Sequence, residues 1–205
     1  HKLNYSAGGV MQDVSSCSSC GWRHELAASL YVAGFGENAS SWGEVAKRDV
    51  LQQVTALTPA TGNWFAGSER NLEQLIASYD AVAGLFSPAE AAAAEKAFAL
   101  NANFMYAQPP AGLGVSADMA SRLMNPAADR LAAIGLIALT FPNQPNASAW
   151  LHQAVTEFEW MLENGVMEDG QWHEPSTRYH GRVLAALIPF AYALRQAGVS
   201  DPLND

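Results

Sequence analysis

The segment SPAEAAAAEKAFALNANFMYAQPP, residues 87–110, indicates a helical fold more clearly than any other part of the chain. Ser87 supplies an oxygen that can cap a helix start, the next residue is a proline, which the first helical turn tolerates, and Glu90 can complete a capping box. Pro109 ends the pattern because proline has no backbone N–H to donate. The segment therefore predicts a helix that begins after Ser87 and ends near Tyr106.

Apolar residues recur at helical spacing in most of the remaining chain, and no stretch alternates as a strand would. The patterns predict about seven helices, joined by short polar loops, with a break or kink near Pro126 and a bend at Pro189. Ser41 and Glu44 form a second expected capping box. The predicted fold is all-α, built from antiparallel helical hairpins that form either a solenoid or an incomplete (α/α) toroid, with the toroid favoured.

The chain of 205 residues divides, on this reading, into three parts. Residues 1–20 are polar and without period, and we expect them to form an N-terminal loop segment. Residues 21–198 form the helical domain, and residues 199–205 form a C-terminal tail. A chain of this length can bury a sizeable core as one large domain or two small ones.

Composition and charge exclude some classes of function. With 11 basic and 20 acidic residues, the formal net charge is −9, which argues against a nucleic-acid-binding protein. A polyanionic substrate remains compatible, because a few arginines in a cleft can outweigh the global charge. The longest apolar run, Leu131 to Phe141, is far shorter than the roughly 20 residues that span a bilayer, so no membrane partner is expected.

The two cysteines, Cys17 and Cys20, admit four interpretations: a local disulfide, a redox pair, half of a metal site or two free thiols. Further cysteines that would complete a zinc site are absent from the sequence, and a local structural disulfide is preferred. The sequons at Asn38 and Asn146 are typical of a secreted glycoprotein, although the serine of each could instead cap a helix. We therefore expect a secreted, extracellular protein.

Two polar patches interrupt the apolar helical runs of the last third of the chain. The first is Asn125-Pro-Ala-Ala-Asp-Arg130, and the second runs from Glu174 through Tyr179 to Arg182. An amide can hydrogen-bond a carboxyl group, and a tyrosine can transfer a proton. Together they suit the cleavage of an acidic polysaccharide by β-elimination. The bland alternative is that an Asn-Pro pair only starts a helix and the tyrosine only packs at another helix start.

These residues resemble the α/α-toroid domain of heparinase II/III-like polysaccharide lyases and their alginate-lyase relatives. The resemblance rests on Asn125 with Arg130-Leu-Ala-Ala-Ile-Gly-Leu, on Ala149-Trp150 with Leu162, and on Asp169-Gly-Gln-Trp-His-Glu-Pro-Ser-Thr-Arg-Tyr179. Two departures are visible. Pro126 stands where many members have a histidine, and the β-sandwich domain of the family does not follow. The resemblance thus implies a second domain or neighbouring chain that completes the site.

The resemblance implies a role for each polar residue. Asn125 would bind the uronate carboxyl group, and Tyr179 would be the base. Arg130 or Arg122 is a possible charge partner of Asn125. A phenol with an ordinary pKa of about 10 is a weak base at neutral pH, so Arg182 is expected to supply positive charge. His173 is the second acid–base candidate. The predicted substrate contacts, some of them suggested by the residues alone, are Asn63, Trp64, Arg130, Trp172, Glu174 and Arg178.

Tryptophans in polar loops are natural platforms for the flat C–H faces of sugars. Trp64 and Trp172 are the two such residues, and Asn63 lies beside the first. The other four tryptophans lie in helical runs and are expected to belong to the core: Trp22, Trp42, Trp150 and Trp160.

Two other functions compete with a lyase acting on an acidic polysaccharide or oligosaccharide. A toroid glycoside hydrolase would need two carboxylates across a cleft, for example Glu174 with Asp80, Asp118 or Asp129. A non-catalytic helical scaffold would only bind glycan or protein. No cofactor and no metal site are predicted from the sequence, because it has no close-spaced histidines or carboxylate–histidine cluster.

Overall fold

The computed structural model describes residues 23–34, 39–57, 59, 68–108, 119–174 and 176–200. Within these ranges the chain forms helices and no β-strand, which confirms the predicted all-α fold. The helices are α1 (Arg23–Val32), α2 (Ala39–Ala56), α3 (Ser68–Val82), α4 (Pro88–Tyr106), α5 (Met119–Arg122), α6 (Asn125–Thr140), α7 (Ala147–Gly165) and α8 (Thr177–Gln196). Across the described part, every helix falls short of the length and apolar character that crossing a bilayer requires.

The start of α4 has the capping box that the sequence predicts. The Glu90 backbone N–H donates to Ser87 Oγ at 3.3 Å, and the Ser87 N–H donates to Glu90 Oε2 at 2.8 Å. The second predicted capping box is wrong, because α2 begins at Ala39 and Ser41 already lies inside it. Ser41 is the third residue of α2, and a residue at that position cannot act as the N-cap, which precedes the first residue of a helix.

Helix α6 is the central element of the described fold. Of its 16 residues, 12 are buried, including polar ones, because its alanine, leucine and isoleucine residues are distributed around the whole helix. It packs against α3, α4, α7 and α8. One apolar cluster joins its C-terminal half to α3 and α4, and a second joins its N-terminal half to α7 and α8.

Helices α6 and α8 contact each other and run in the same direction, and α7 lies between them in the sequence. Asp129 of α6 pairs with Arg182 of α8, and further along both helices Gly135 lies against the Phe190 ring. The N-terminal ends of the two helices, which carry the two polar patches, are therefore at the same end of the molecule. Helices α3, α4, α7 and α8 pack around α6, and α1 and α2 pack on each other and on α3. The arrangement of the helices as a toroid remains a prediction.

A tight turn follows α7 and brings Glu174, the first residue of the second polar patch, to the N-terminal end of α6. Val166 and Trp172 form an isolated antiparallel bridge, and the Met167 N–H donates to the Gln171 carbonyl at 2.8 Å. Gly170 has a φ of 80°, a conformation that glycine adopts without strain. The turn folds back so that the Trp172 ring packs directly on Gly165.

Candidate functional site

The start of α6 binds a carboxylate of the protein itself. Glu174 Oε2 accepts the Asn125 backbone N–H at 2.9 Å, and the Asn125 side-chain Nδ2 donates to Oε1 at 3.2 Å and to Oε2 at 3.3 Å. The helix N-terminus favours a negative charge, because its first amides have no partner within the helix. The sequence predicts Asn125 as a carboxylate donor, and the structure places a carboxylate on it, that of Glu174.

One helical turn later, the same side of α6 holds an ion pair. The Arg182 Nε donates to Asp129 Oδ2 at 3.0 Å, and its Nη2 contacts the same oxygen. The Asp129 side chain is buried and that of Arg182 is mostly buried. Arg182, the predicted cation beside the tyrosine, therefore has much of its charge balanced by Asp129.

Tyr179 lies one turn before Arg182 and lines an open cavity of about 540 Å³. The lining residues are Arg178, Tyr179, Gly181, Arg182 and Ala185. Tyr179 is 43% exposed, and Arg178 is also exposed and forms no ion pair with any described residue. The cavity therefore presents a phenol, the exposed guanidinium of Arg178 and the partly balanced one of Arg182 to a ligand, which suits an anionic one.

Asn125 and Tyr179 lie at the same end of two parallel helices but at different depths. Asn125 is 5% exposed and does not line the cavity. The cavity residue Arg182 pairs with Asp129, which lies one helical turn after Asn125. The structure thus brings the two predicted polar patches together. It does not leave the Asn125 amide open, because Glu174 covers it.

Trp172 is buried, and the prediction that it forms a sugar platform is wrong. Its side chain is 3% exposed, its Nε1–H donates to the Leu123 carbonyl at 3.1 Å, and its ring packs on Gly165. Its backbone N–H donates to His180 Nδ1 at 3.0 Å. Trp172 therefore anchors the turn.

Arg130 is also buried, and the prediction that it contacts substrate is wrong. Its guanidinium is in the interior, 1% exposed, and donates to the Met105 carbonyl at 2.7 Å and 3.2 Å. It further donates to the Gln108 carbonyl at 3.3 Å. These carbonyls belong to the last turn and C-terminal end of α4, where a cation satisfies unpaired acceptors. Arg130 is therefore a structural residue that ties α6 to α4.

The remaining predicted site residues divide into exposed and undescribed positions. His173 is exposed in the turn, and its backbone N–H donates to the Gly165 carbonyl at 2.8 Å. Asn146 is exposed, its Nδ2 donates to Asn103 Oδ1 at 2.8 Å, and Ser148 is the second residue of α7. Outside the described residues lie Cys17, Cys20, Asn38, Asn63 and Trp64.

Two contacts at this end of the molecule were not predicted from the sequence. Asp129 was predicted only as a possible hydrolase carboxylate, although its position four residues after Asn125 puts both on one helical face. The second contact is that of Arg122, which was predicted only as a possible charge partner of Asn125. It donates to Glu157 at 2.8 Å and stacks 3.6 Å from the centroid of the Trp160 ring. No local signal connects residues 35 positions apart, so only the fold reveals this contact.

Over the ranges that the structure describes, no three His, Cys, Asp or Glu side chains cluster in a way that could bind a metal ion. The site is therefore described by its carboxylates, guanidinium groups and phenol.

Comparison with known proteins finds no family model that matches the chain and no curated protein that matches it.

Proposed function

We propose that the chain is the helical domain of a secreted polysaccharide lyase, related to the heparinase II/III-like enzymes, that cleaves a uronic-acid-containing polysaccharide by β-elimination. Tyr179 is the base, and Asn125 is the donor to the uronate carboxyl group. Arg178 attracts the polyanion to the cavity, and Arg182, whose charge Asp129 partly balances, lies beside Tyr179. In this proposal a second domain or neighbouring chain covers the cavity and supplies further substrate contacts.

The observation that carries this proposal is the meeting of the two polar patches. They are 49 residues apart in sequence at Asn125 and Glu174, and they are joined by three hydrogen bonds at the end where the exposed phenol lines a cationic cavity. An amide already bound to a carboxylate has the chemistry that recognition of a uronate requires. A structural role of either patch alone would not need an exposed tyrosine beside two arginines.

In the proposed reaction these side chains supply the base and the donor to the carboxyl group. The Tyr179 phenolate takes the proton from the carbon next to the uronate carboxyl group. The electron pair of that C–H bond forms the new C=C bond, and the 4-linked oxygen leaves with its bonding pair and accepts the proton that Tyr179 has just taken up. Charge that develops on the carboxyl group is stabilised by Asn125, and loss of one such donor costs ~10²–10³ in rate.

A non-catalytic glycan-binding scaffold is the second candidate, and a specific observation favours it. Asn125 and Arg182 are both engaged with carboxylates of the protein, Glu174 and Asp129. A scaffold would keep both pairs permanently. A glycoside hydrolase is less favoured, because the acid of a hydrolase must donate a proton, whereas both of these carboxylates accept hydrogen bonds from cationic or amide donors.

The test is the appearance of an unsaturated sugar. The protein is incubated with alginate, heparan sulfate and hyaluronan, and ultraviolet absorbance of the C=C bond is followed. We expect turnover by the unaltered protein and a loss of at least ~10²-fold in Tyr179→Phe. The matched control is Tyr192→Phe, an exposed tyrosine of the same helix outside the cavity, which should retain full activity.

The outcomes separate the candidates. Turnover that persists in Tyr179→Phe contradicts the assigned base. Oligosaccharide binding without any unsaturated product from the unaltered protein favours the scaffold. New reducing ends without ultraviolet absorbance would identify a hydrolase.

A further inference from the structure

The carboxylate-binding position at the start of α6 is occupied by a residue of the same chain. Glu174 receives three hydrogen bonds there, two from the Asn125 side chain and one from its backbone. Asn125 is nearly fully buried beneath this contact. A ligand carboxyl group could reach the amide only if the Glu174 side chain moved away.

We propose that Glu174 is a built-in competitor for the substrate carboxyl group, which the uronate must displace before elimination can begin. This inference rests on the proposed function. The exchange is isosteric, one carboxylate for another, so the donors at the helix start remain satisfied. Only side-chain rotation of Glu174 is required.

A second observation indicates that the occupied state is incomplete. Asn125 Oδ1 is buried and has no hydrogen-bond partner among the described residues. A buried acceptor without a donor is unfavourable, so the bound state with Glu174 leaves one interaction unmade. A sugar carries hydroxyl groups beside its carboxyl group and can donate to Oδ1. Glu174 carries no such hydroxyl group, which favours the sugar in the exchange.

Competition and positioning make opposite predictions for the same variant. If Glu174 competes, weakening it increases the fraction of protein with a free amide, and the apparent Kd falls in proportion. If Glu174 instead positions Asn125 for catalysis, weakening it lowers kcat. Glu174→Gln removes the charge but retains an oxygen that accepts the Asn125 backbone N–H, so the helix start stays satisfied.

The experiment measures binding of size-fractionated alginate, heparan sulfate and hyaluronan oligosaccharides by calorimetry, in a Tyr179→Phe background that blocks turnover. We expect Glu174→Gln to lower Kd about tenfold, since a neutral acceptor competes less strongly than a carboxylate. Glu174→Asp, which keeps the charge and shortens the reach by one methylene, should also lower Kd. The matched control, Glu168→Gln in the exposed turn, removes the same charge and should change Kd less than twofold.

Kinetics in the Tyr179 protein supply the second readout, with KM expected to fall and kcat to stay unchanged in Glu174→Gln. The competitor role is overturned, and the proposed function stands, if two results coincide. The first is that Tyr179→Phe binds an oligosaccharide or the unaltered protein cleaves one. The second is that neither Glu174 variant binds that oligosaccharide more tightly than Tyr179→Phe alone does. A fall in kcat at constant KM also overturns the competitor role. If no oligosaccharide is bound or cleaved by any variant, both the competitor role and the proposed function fail. Thermal unfolding of each variant verifies that it is folded.

Discussion

Gly135 sets the distance between the two helices that carry the candidate site, and its replacement gives the sharpest test of the packing. A Cβ at this position would overlap three atoms of the Phe190 ring. Alanine gains about 1 kcal/mol over glycine in a helix interior. Overpacking a dense core costs about 1–3 kcal/mol, and overlap with an aromatic ring lies at the upper end. The net expectation for Gly135→Ala is a loss of about 2 kcal/mol in the free energy of unfolding.

Urea and thermal unfolding measure this loss. For a chain of this size, about 2 kcal/mol corresponds to a decrease in Tm of roughly 4–8 °C. The matched control is Gly181→Ala, which introduces the same Cβ into α8 where nothing lies within 4 Å. That variant should gain up to about 1 kcal/mol from helix propensity.

A double-mutant cycle assigns the loss to one contact. Phe190→Leu alone should cost about 2 kcal/mol, because the Phe190 side chain is fully buried. In that background the overlap is gone, so Gly135→Ala should be neutral or stabilising, with a coupling of about 2 kcal/mol. An equal loss in both backgrounds, or no loss in either, would refute the packing of α6 on α8 described above.

Three further perturbations test the electrostatics and burial. Hydrogen bonds from the Ser87 backbone N–H and, to a smaller extent, from its hydroxyl lower the pKa of Glu90 below the ordinary 4.5. The stability that Glu90 contributes is therefore present above pH 4.5 and is lost as the pH falls through the lower pKa of the folded state. In urea titrations, the unaltered protein should lose more stability over this pH range than Glu90→Gln does. Burial raises the pKa of Tyr79 above 10.0, so the phenol ionises at lower pH in the unfolded chain and stability falls as the pH rises beyond 10.0. Comparison of ultraviolet titrations of the unaltered protein and Tyr79→Phe should show one phenol that ionises above pH 10.0. Ionisation of this phenol at pH 10.0 would contradict its burial. Arg182→Met leaves the Asp129 carboxylate buried without this partner and should lower the free energy of unfolding by about 3 kcal/mol. The additional substitution Asp129→Leu should largely restore the stability. A loss that this second substitution leaves unchanged would argue against the ion pair.

The candidate site was predictable in part. The Asn-Pro start of α6 and the polar segment around Tyr179 stand out in the sequence because each interrupts an apolar helical run. Their proximity is found in the structure. What sequence reasoning could not predict is that the Asn125 amide is already bound, and that Trp172 turns inward although its neighbours are polar.

The sequence by itself determined that the chain is helical and where some of its helices begin and end, because caps, prolines and helical periodicity act between residues a few positions apart. The start of α4 after Ser87 and its end at Tyr106 are such cases. Only the tertiary structure decided which donors and cations are free. Glu174 meets Asn125 across 49 residues and Arg182 meets Asp129 across 53, and such pairings follow from the packing of α7 and α8 on α6. Burial is likewise a property of the assembled helices, which is why a tryptophan in a polar turn became an interior anchor.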